Sequence, residues 1–295
     1  MKKLEIDSAL VGIPWKVVEK EITWRETTNY AAALEDYQDC YFDDRGGKTL
    51  KTHPMFPVTF GWPLIIDIED YLEIPHGREI IGQLVHFKTH IKYVKPISVP
   101  NKMKIESQIA LLKAHNKGTE VSFQFNVTDS AGELCHIEYM TCILRDVICT
   151  GGDKVLPDYP EHSKEKGEQP LWSAKEIPVK TGLPYIYDGC SGIYNPIHTS
   201  PAFAESVGLP GVILQGTATI ALGIREVIAK ETKGDYGRVD VISAKLNSMV
   251  LQNQLLEVQL TARKETLEGR EFFFQVVNKT TGELAVTYGY LKLVE

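Results

Sequence analysis

Two hydrophobic periods follow one another in the second half of the chain. Residues 216–231 carry apolar side chains three and four positions apart, as in a helix with a buried face, and these are Ile220, Ala221, Ile224, Val227 and Ile228. The segments after them are rich in β-branched and aromatic residues, which favours strands, and they span 239–250, 254–266, 271–279 and 284–294. The pattern predicts one largely buried helix wrapped by an antiparallel sheet.

The same pattern occurs twice in the chain. Residues 123–134 align without gaps to residues 273–284, and both segments end in Gly-Glu-Leu. Three more pairs keep the same order along the chain, namely 30–44 with 187–201, 56–66 with 211–221, and 97–107 with 250–260. Because collinear matches at nearly constant spacing are hard to obtain by chance, the sequence indicates an internal duplication.

A segment rich in Gly, Pro and charged residues separates the two copies, as a linker does. The sequence therefore predicts a first domain at 1–148, a linker at 149–177 and a second domain at 178–295. A helix embraced by a meandering sheet is the hotdog arrangement. The predicted fold class is α+β, a double hotdog of two tandem domains.

Composition narrows the classes of partner. A net charge of -7 and a pI near 5.7 argue against nucleic acid and anionic membranes. The five cysteines are irregularly spaced and form no zinc-ligand pattern, so we expect no metal. No signal-peptide pattern follows the first residues, and no apolar stretch approaches the roughly 20 residues that span a bilayer. We expect a cytoplasmic protein.

The residues that could take part in catalysis or ligand binding are concentrated between 187 and 217. Residues 191–198 are Ser-Gly-Ile-Tyr-Asn-Pro-Ile-His, followed by an Ala-containing turn, Gly-Leu-Pro-Gly and Leu-Gln-Gly. This order resembles the motif of the MaoC-like family of R-specific enoyl-CoA hydratases and 3-hydroxyacyl dehydratases. In that motif Ser-Gly-Asp is followed by Asn-Pro, an aliphatic residue and His, and later by His-Gly. The repeat extends the resemblance to both halves.

The resemblance implies an enzyme that adds water to a 2-enoyl thioester or removes it from a 3-hydroxyacyl thioester. His198 would be the acid and base, since an imidazole exchanges protons near neutral pH. The N–H of Gly216, at the start of the buried helix, would hold the thioester carbonyl. Coenzyme A would enter as part of an acyl-CoA substrate, or an acyl carrier would take its place, and no separate cofactor is expected.

Two positions depart from the family motif. Ile193 stands where the family has its catalytic Asp, and Gln215 stands where it usually has His. In the first copy Asp36 falls on the Asp position, but Tyr41 falls on the His position. Neither half carries the whole pair, so we expect any replacement carboxylate or hydroxyl to come from Asp36, Asp188 or Tyr194.

Further residues of these segments are candidates for binding the substrate. Asn195 and Gly216 also have backbone reasons for their positions, in a turn and at a helix start. Trp62 is either a core residue or part of an acyl pocket, since a degenerate half can shape such a pocket. The predicted substrate-binding residues are Ile193, Tyr194, Asn195, Gln215, Gly216 and Trp62.

Two other functions stay open at this point. One is a thioesterase, because fold does not fix function, with Asp36 or Asp188 holding the attacking water. The other is a non-catalytic thioester-binding subunit of a hetero-oligomer, because an isoleucine at 193 cannot accept a proton. A double hotdog already pairs two domains within one chain, so both a monomer and a homodimer are compatible with the sequence.

Overall fold

The strands of the two halves join into one continuous sheet. A computed structural model describes residues 3–70, 72–165, 167–233 and 237–294. Up to residue 155 the elements are β1 (Leu4–Asp7), β2 (Pro14–Ile22), α1 (Trp24–Ala33), α2 (Asp39–Phe42), α3 (Val58–Ile66), α4 (Gly77–Ile81), β3 (Leu84–Tyr93), β4 (Asn101–His115), β5 (Gly118–Thr128), β6 (Leu134–Arg145), β7 (Val147–Thr150) and β8 (Lys154–Val155). The remainder are β9 (Trp172–Pro178), α5 (Leu183–Ser191), α6 (Pro201–Ser206), α7 (Gly216–Thr232), β10 (Arg238–Leu246), β11 (Leu255–Thr266), β12 (Gly269–Asn278) and β13 (Leu284–Val294).

The order of strands repeats the duplication in mirror form. Across the sheet it runs β2-β4-β5-β6-β3 and then β10-β13-β12-β11-β9, while β8 adds to β4 and β1 pairs separately with β7. The halves meet at the antiparallel pair β3–β10, where Ile91 lies opposite Ile242 and His90 opposite Ser243. Corresponding strands of the two copies therefore lie the same number of strands away from this central junction.

Each half packs a helix closely against its sheet. α7 buries most of its apolar face, which stabilises the fold by roughly 2 kcal/mol for each large side chain removed from water. A Cβ on Gly223 of α7 would lie 2.5 Å from the Phe274 ring, and a Cβ on Gly61 of α3 would lie 2.5 Å from Phe125. Both copies thus use a glycine to bring the helix onto a phenylalanine of the sheet.

The structure confirms the predicted helix and the antiparallel sheet around it. One predicted strand, 239–250, ends earlier, because β10 stops at Leu246 and the chain then turns. β9 falls almost wholly within the segment predicted as a linker and pairs with β11 at the edge of the sheet. β9 is held by backbone pairing with β11 and has no clear periodic pattern of apolar residues. The sequence therefore contains no signal from which to predict it. The domain limits stay a prediction, and their outer ends, residues 1 and 295, lie outside the described residues.

Candidate active site

A glycine ends α5 and starts the loop that carries the motif. Gly192 adopts a left-handed conformation with φ 69°, and its N–H donates to the carbonyl of Asp188. Such a conformation is costly for residues with a Cβ, so glycine is the favoured residue here. The next N–H, of Ile193, donates to Ser191 Oγ at 3.2 Å. These bonds fix the direction in which the loop leaves the helix.

Asn195 shapes the turn that presents His198. The residues Pro196–His198 form a single 3-10 turn, and Asn195 Oδ1 accepts a hydrogen bond from the N–H of Ile197 at 3.2 Å. Proline in the first turn adds a fixed φ. Asn195 therefore has the turn-shaping role expected from its residue type, and its role in substrate binding stays a prediction.

The ring of His198 is held in one tautomer. Its Nδ1 lies 2.9 Å from the carbonyl oxygen of Ile213, and because a carbonyl only accepts, Nδ1 must carry the proton. Burial lowers the pKa of His198 to about 4, against the opposing effect of the bond to Ile213. The imidazole is thus neutral at pH 7, and within the described ranges its Nε2 has no hydrogen-bond partner.

The segment 213–216 connects His198 to the start of α7. The N–H of Ile213 donates to the carbonyl of Ile197 at 3.3 Å, so the turn and this segment are joined by two hydrogen bonds. Three residues later Gly216 begins α7. The first N–H groups of a helix lack partners within the helix and carry partial positive charge. A Cβ at Gly216 would lie 2.3 Å from a methyl of Leu246, which favours glycine at this position.

Gln215 is buried directly before that helix. Its Nε2 donates to the carbonyl of Pro184 in α5 at 3.1 Å, while its Oε1 is buried with no partner among the described residues. The side chain therefore ties α7 to α5. It does not cap α7.

Trp62 brings the first half into contact with the loop. Its indole Nε1 donates to the backbone carbonyl of Tyr194 at 2.8 Å, and its ring is buried. The Tyr194 side chain is 49% exposed. The contact places α3 beside the motif, although the residues are 132 positions apart in the chain.

The two predicted carboxylates lie in different environments. Asp36 is buried in the first half, where its Oδ1 accepts from Gln38 at 2.7 Å and its Oδ2 lies 3.6 Å from His53 Nε2. Asp188 is half-buried on α5, with Oδ1 unpartnered among the described residues. Burial raises the pKa of both carboxyl groups. Neither shares a hydrogen bond or ion pair with His198 in the described part of the chain, so their catalytic roles stay predictions.

Residues 163–287 match the family model described as MaoC like domain. The chain contains a MaoC-like domain. It is 25% identical to the peroxisomal enoyl-CoA hydratase 2 of Arabidopsis thaliana over 75% of this chain and 72% of that protein. It is 22% identical to the mouse peroxisomal multifunctional enzyme type 2 over 89% of this chain, but this match spans only 35% of the mouse protein.

Solved structures give the same fold. A MaoC-like dehydratase from Phytophthora capsici superposes with a TM-score of 0.82 at 17% identity, covering 97% of this chain and 98% of that chain. A Mycobacterium tuberculosis protein described as having a double hotdog fold gives a TM-score of 0.60 at 10% identity, covering 96% of each chain. The predicted α+β double hotdog fold is therefore confirmed.

Ile193, which departs from the MaoC-like motif, is buried in the structure. Its side chain is 6% exposed and belongs to the hydrophobic core. An apolar residue thus occupies the family's Asp position without opening that position to water. Sequence reasoning missed two residues near the site, Tyr30 and Tyr187. The signal was available, because the repeat places Tyr30 directly over Tyr187.

The described residues contain neither a metal-binding cluster nor a membrane-spanning helix. No three His, Cys, Asp or Glu side chains of the described ranges are grouped so that they could hold a metal ion. In the same ranges no helix is both long and apolar enough to cross a bilayer. The expectations of no metal and of a cytoplasmic location stay predictions.

Proposed function

We propose that the protein is an acyl-thioester hydratase or dehydratase, which adds water to a 2-enoyl thioester or removes it from a 3-hydroxyacyl thioester. The observation that carries the proposal is the linkage of a neutral His198 to the start of α7 through Ile213. The MaoC-like domain and the plant relative named enoyl-CoA hydratase 2 support the same reaction class.

His198 is the proposed acid and base. In hydration, its unprotonated Nε2 takes a proton from water while the water oxygen bonds to C3 of the enoyl group. The electron pair of the double bond moves toward the thioester carbonyl, and the protonated Nε2 then returns a proton to C2. One imidazole performs both transfers, which removes the need for a carboxylate at 193.

Gly216 is the proposed binding group for the thioester carbonyl. Negative charge develops on that oxygen as the enolate forms, and the N-terminal end of α7 stabilises it. A hydrogen-bond donor of this kind is typically worth about 3 kcal/mol in the transition state. Trp62 lies beside the loop and Tyr194 is part of it, and both are proposed to line the acyl site.

We propose an acyl-CoA or acyl-carrier thioester as the substrate, with no further cofactor, since acid–base chemistry and one carbonyl-binding group suffice for hydration. A cytoplasmic location and a monomer or homodimer are part of the proposal. The plant and mouse relatives described above are both peroxisomal by name, so fractionation of the native host is the measurement that decides the location.

The deciding experiment incubates the pure protein with 2-enoyl-CoA thioesters of several lengths and follows the conjugated enoyl absorbance together with free thiol. Absorbance loss without thiol, abolished in His198→Gln but retained in a His115→Gln control on β4, is the expected result. Thiol release would instead identify a thioesterase. No change in either assay would favour a non-catalytic binding subunit. The isoleucine at 193 would then be explained by the absence of catalysis.

A further inference from the structure

Two tyrosines at matching positions of the repeat meet inside the molecule. Tyr30 lies on α1 and Tyr187 on α5, and both are fully buried. Their hydroxyl oxygens are 2.9 Å apart, and their ring centroids are 5.6 Å apart at an angle of 57°. The contact joins equivalent helices of the two halves.

The hydrogen bonds continue from this pair in both directions. The hydroxyl of Tyr30 donates to the carbonyl of Met55 at 3.0 Å. The hydroxyl of Tyr187 lies 3.0 Å from Thr217 Oγ1. Tyr30, Tyr187 and Thr217 supply three hydroxyl protons for these three contacts, so the chain of bonds can be fully satisfied.

Thr217 is the residue after Gly216. Gln215, on the other side of that glycine, is tied to α5 through Pro184. α5 therefore holds the residue on each side of Gly216, once through the Gln215 amide and once through Tyr187. The start of α7 is therefore held in position by hydrogen bonds to another helix, α5.

We propose that Tyr187 is a positioning residue for the Gly216 N–H and that Tyr30, from the first half, holds Tyr187 in place. The inference rests on the proposed function, in which that N–H binds the thioester carbonyl. A donor stabilises developing charge only when it is already aligned. The degenerate first half thereby acts on the site in the second half.

The test compares Tyr187→Phe, Tyr30→Phe and the double variant on one enoyl-CoA substrate. Tyr187→Phe lowers kcat about 10-fold with KM within about 2-fold, because misalignment acts on the transition state. Tyr30→Phe has a smaller effect, and the double variant resembles Tyr187→Phe alone, since Tyr30 acts through Tyr187. Tyr139→Phe, which removes another buried hydroxyl of the first half, is the matched control and leaves kcat unchanged.

Variants at Thr217 separate positioning from general stability. Thr217→Ser keeps the hydroxyl and retains wild-type kcat, whereas Thr217→Val has the same shape without it and matches Tyr187→Phe. Hydrogen–deuterium exchange of the peptide that begins α7 rises in Tyr187→Phe and not in Tyr139→Phe. Unchanged exchange in Tyr187→Phe overturns the positioning role whether or not the protein is active. Inactivity of the wild-type protein on all thioesters, by contrast, overturns the proposed function.

Discussion

His198 combines a fixed tautomer with a strongly lowered basicity. The carbonyl of Ile213 holds the proton on Nδ1, and burial lowers the pKa of the ring to about 4. A base with this setting is ready at neutral pH without first losing a proton. In the proposed reaction the rate then depends on how well the site aligns water and thioester, rather than on the titration of the ring.

The pH dependence of the reaction tests this setting. Since the neutral ring is the proposed base, kcat/KM should fall as the pH drops through about 4 and stay constant through 6.5, the ordinary pKa of histidine. Initial rates of hydration over this range give the profile. A midpoint near 6.5 would contradict the buried, neutral imidazole.

Ile193 offers a test by restoration. Ile193→Asp places a carboxylate on the loop that carries His198, where it can orient the water and share the proton transfers. We expect kcat to rise at least about 10-fold, less than the roughly 10²–10⁴-fold that a well-positioned acid–base group usually contributes. Ile193→Asn has a similar shape without the charge and is the control. A lower rate in a folded Ile193→Asp variant would show that the site has adapted to a single imidazole.

Glu138 makes stability depend on pH. It lies on β6 between Phe125 and Ile91, and burial raises its pKa from 4.5 to about 8. Between these values the folded state keeps a proton that the unfolded state releases, so the free energy of unfolding falls as the pH rises and levels off above 8. The loss is on the order of a few kcal/mol.

Glu138→Gln keeps the shape and removes the titration, so it should flatten this slope. Urea denaturation at about pH 5, about pH 7 and about pH 9 measures it. Glu265→Gln alters an exposed carboxylate and should leave the slope as in the wild type. Parallel slopes for the wild type and Glu138→Gln would contradict a buried, protonated carboxyl.

At the scale of elements, α3 and α7 play the same part with different lengths. α3 has 9 residues with Pro63 inside it, while α7 has 17. A proline within a helix removes a backbone donor and disfavours continuation. The shorter helix is the one whose Trp62 reaches across to the motif loop of the other half. Divergence of the two copies has thus given α3 a side chain that contacts the motif loop, and α7 the end at which we propose that the thioester carbonyl binds.

Gly223 tests how closely α7 approaches the sheet. In an open helix position Gly→Ala is stabilising by about 1 kcal/mol. At Gly223 the new Cβ would meet the Phe274 ring at 2.5 Å, and such overpacking costs about 1–3 kcal/mol. We expect Gly223→Ala to lower the midpoint of thermal unfolding. Gly189→Ala on α5, where no heavy atom lies within 4 Å, should leave it unchanged or raise it.

For the whole molecule, the central pair β3–β10 turns two domains into one sheet. Ile91 and Ile242 are fully buried there, and Lys92 reaches across to Asp240 at 2.5 Å. A continuous ladder of backbone hydrogen bonds and a shared core leave little reason for the halves to unfold separately. We expect a single cooperative transition.

Ile242→Ala tests the coupling of the halves. It should lower the free energy of unfolding by about 2–4 kcal/mol, the usual cost of a buried cavity. Peptides from both halves should gain hydrogen exchange together at the same denaturant concentration. Ile186→Ala, at a position 54% exposed on α5, should change neither. Exchange that rises in the second half alone would show that the halves unfold independently.

The sequence alone determined the repeat, the buried helix α7, its flanking strands and the motif around His198. These features are local or nearly local, because periodicity follows from the geometry of one helix or strand and a motif lies within one short segment. The fold class followed from two such sets in tandem.

Only the tertiary structure decided how distant residues meet. Tyr30 and Tyr187, 157 positions apart, form one hydrogen-bonded pair, and Trp62 lies against the motif loop. It also placed Asp36 beside His53 rather than beside His198. The tautomer of His198 follows from a carbonyl 15 positions away, and its lowered pKa follows from burial. Such properties depend on the order of strands and the depth of packing, which no single segment specifies.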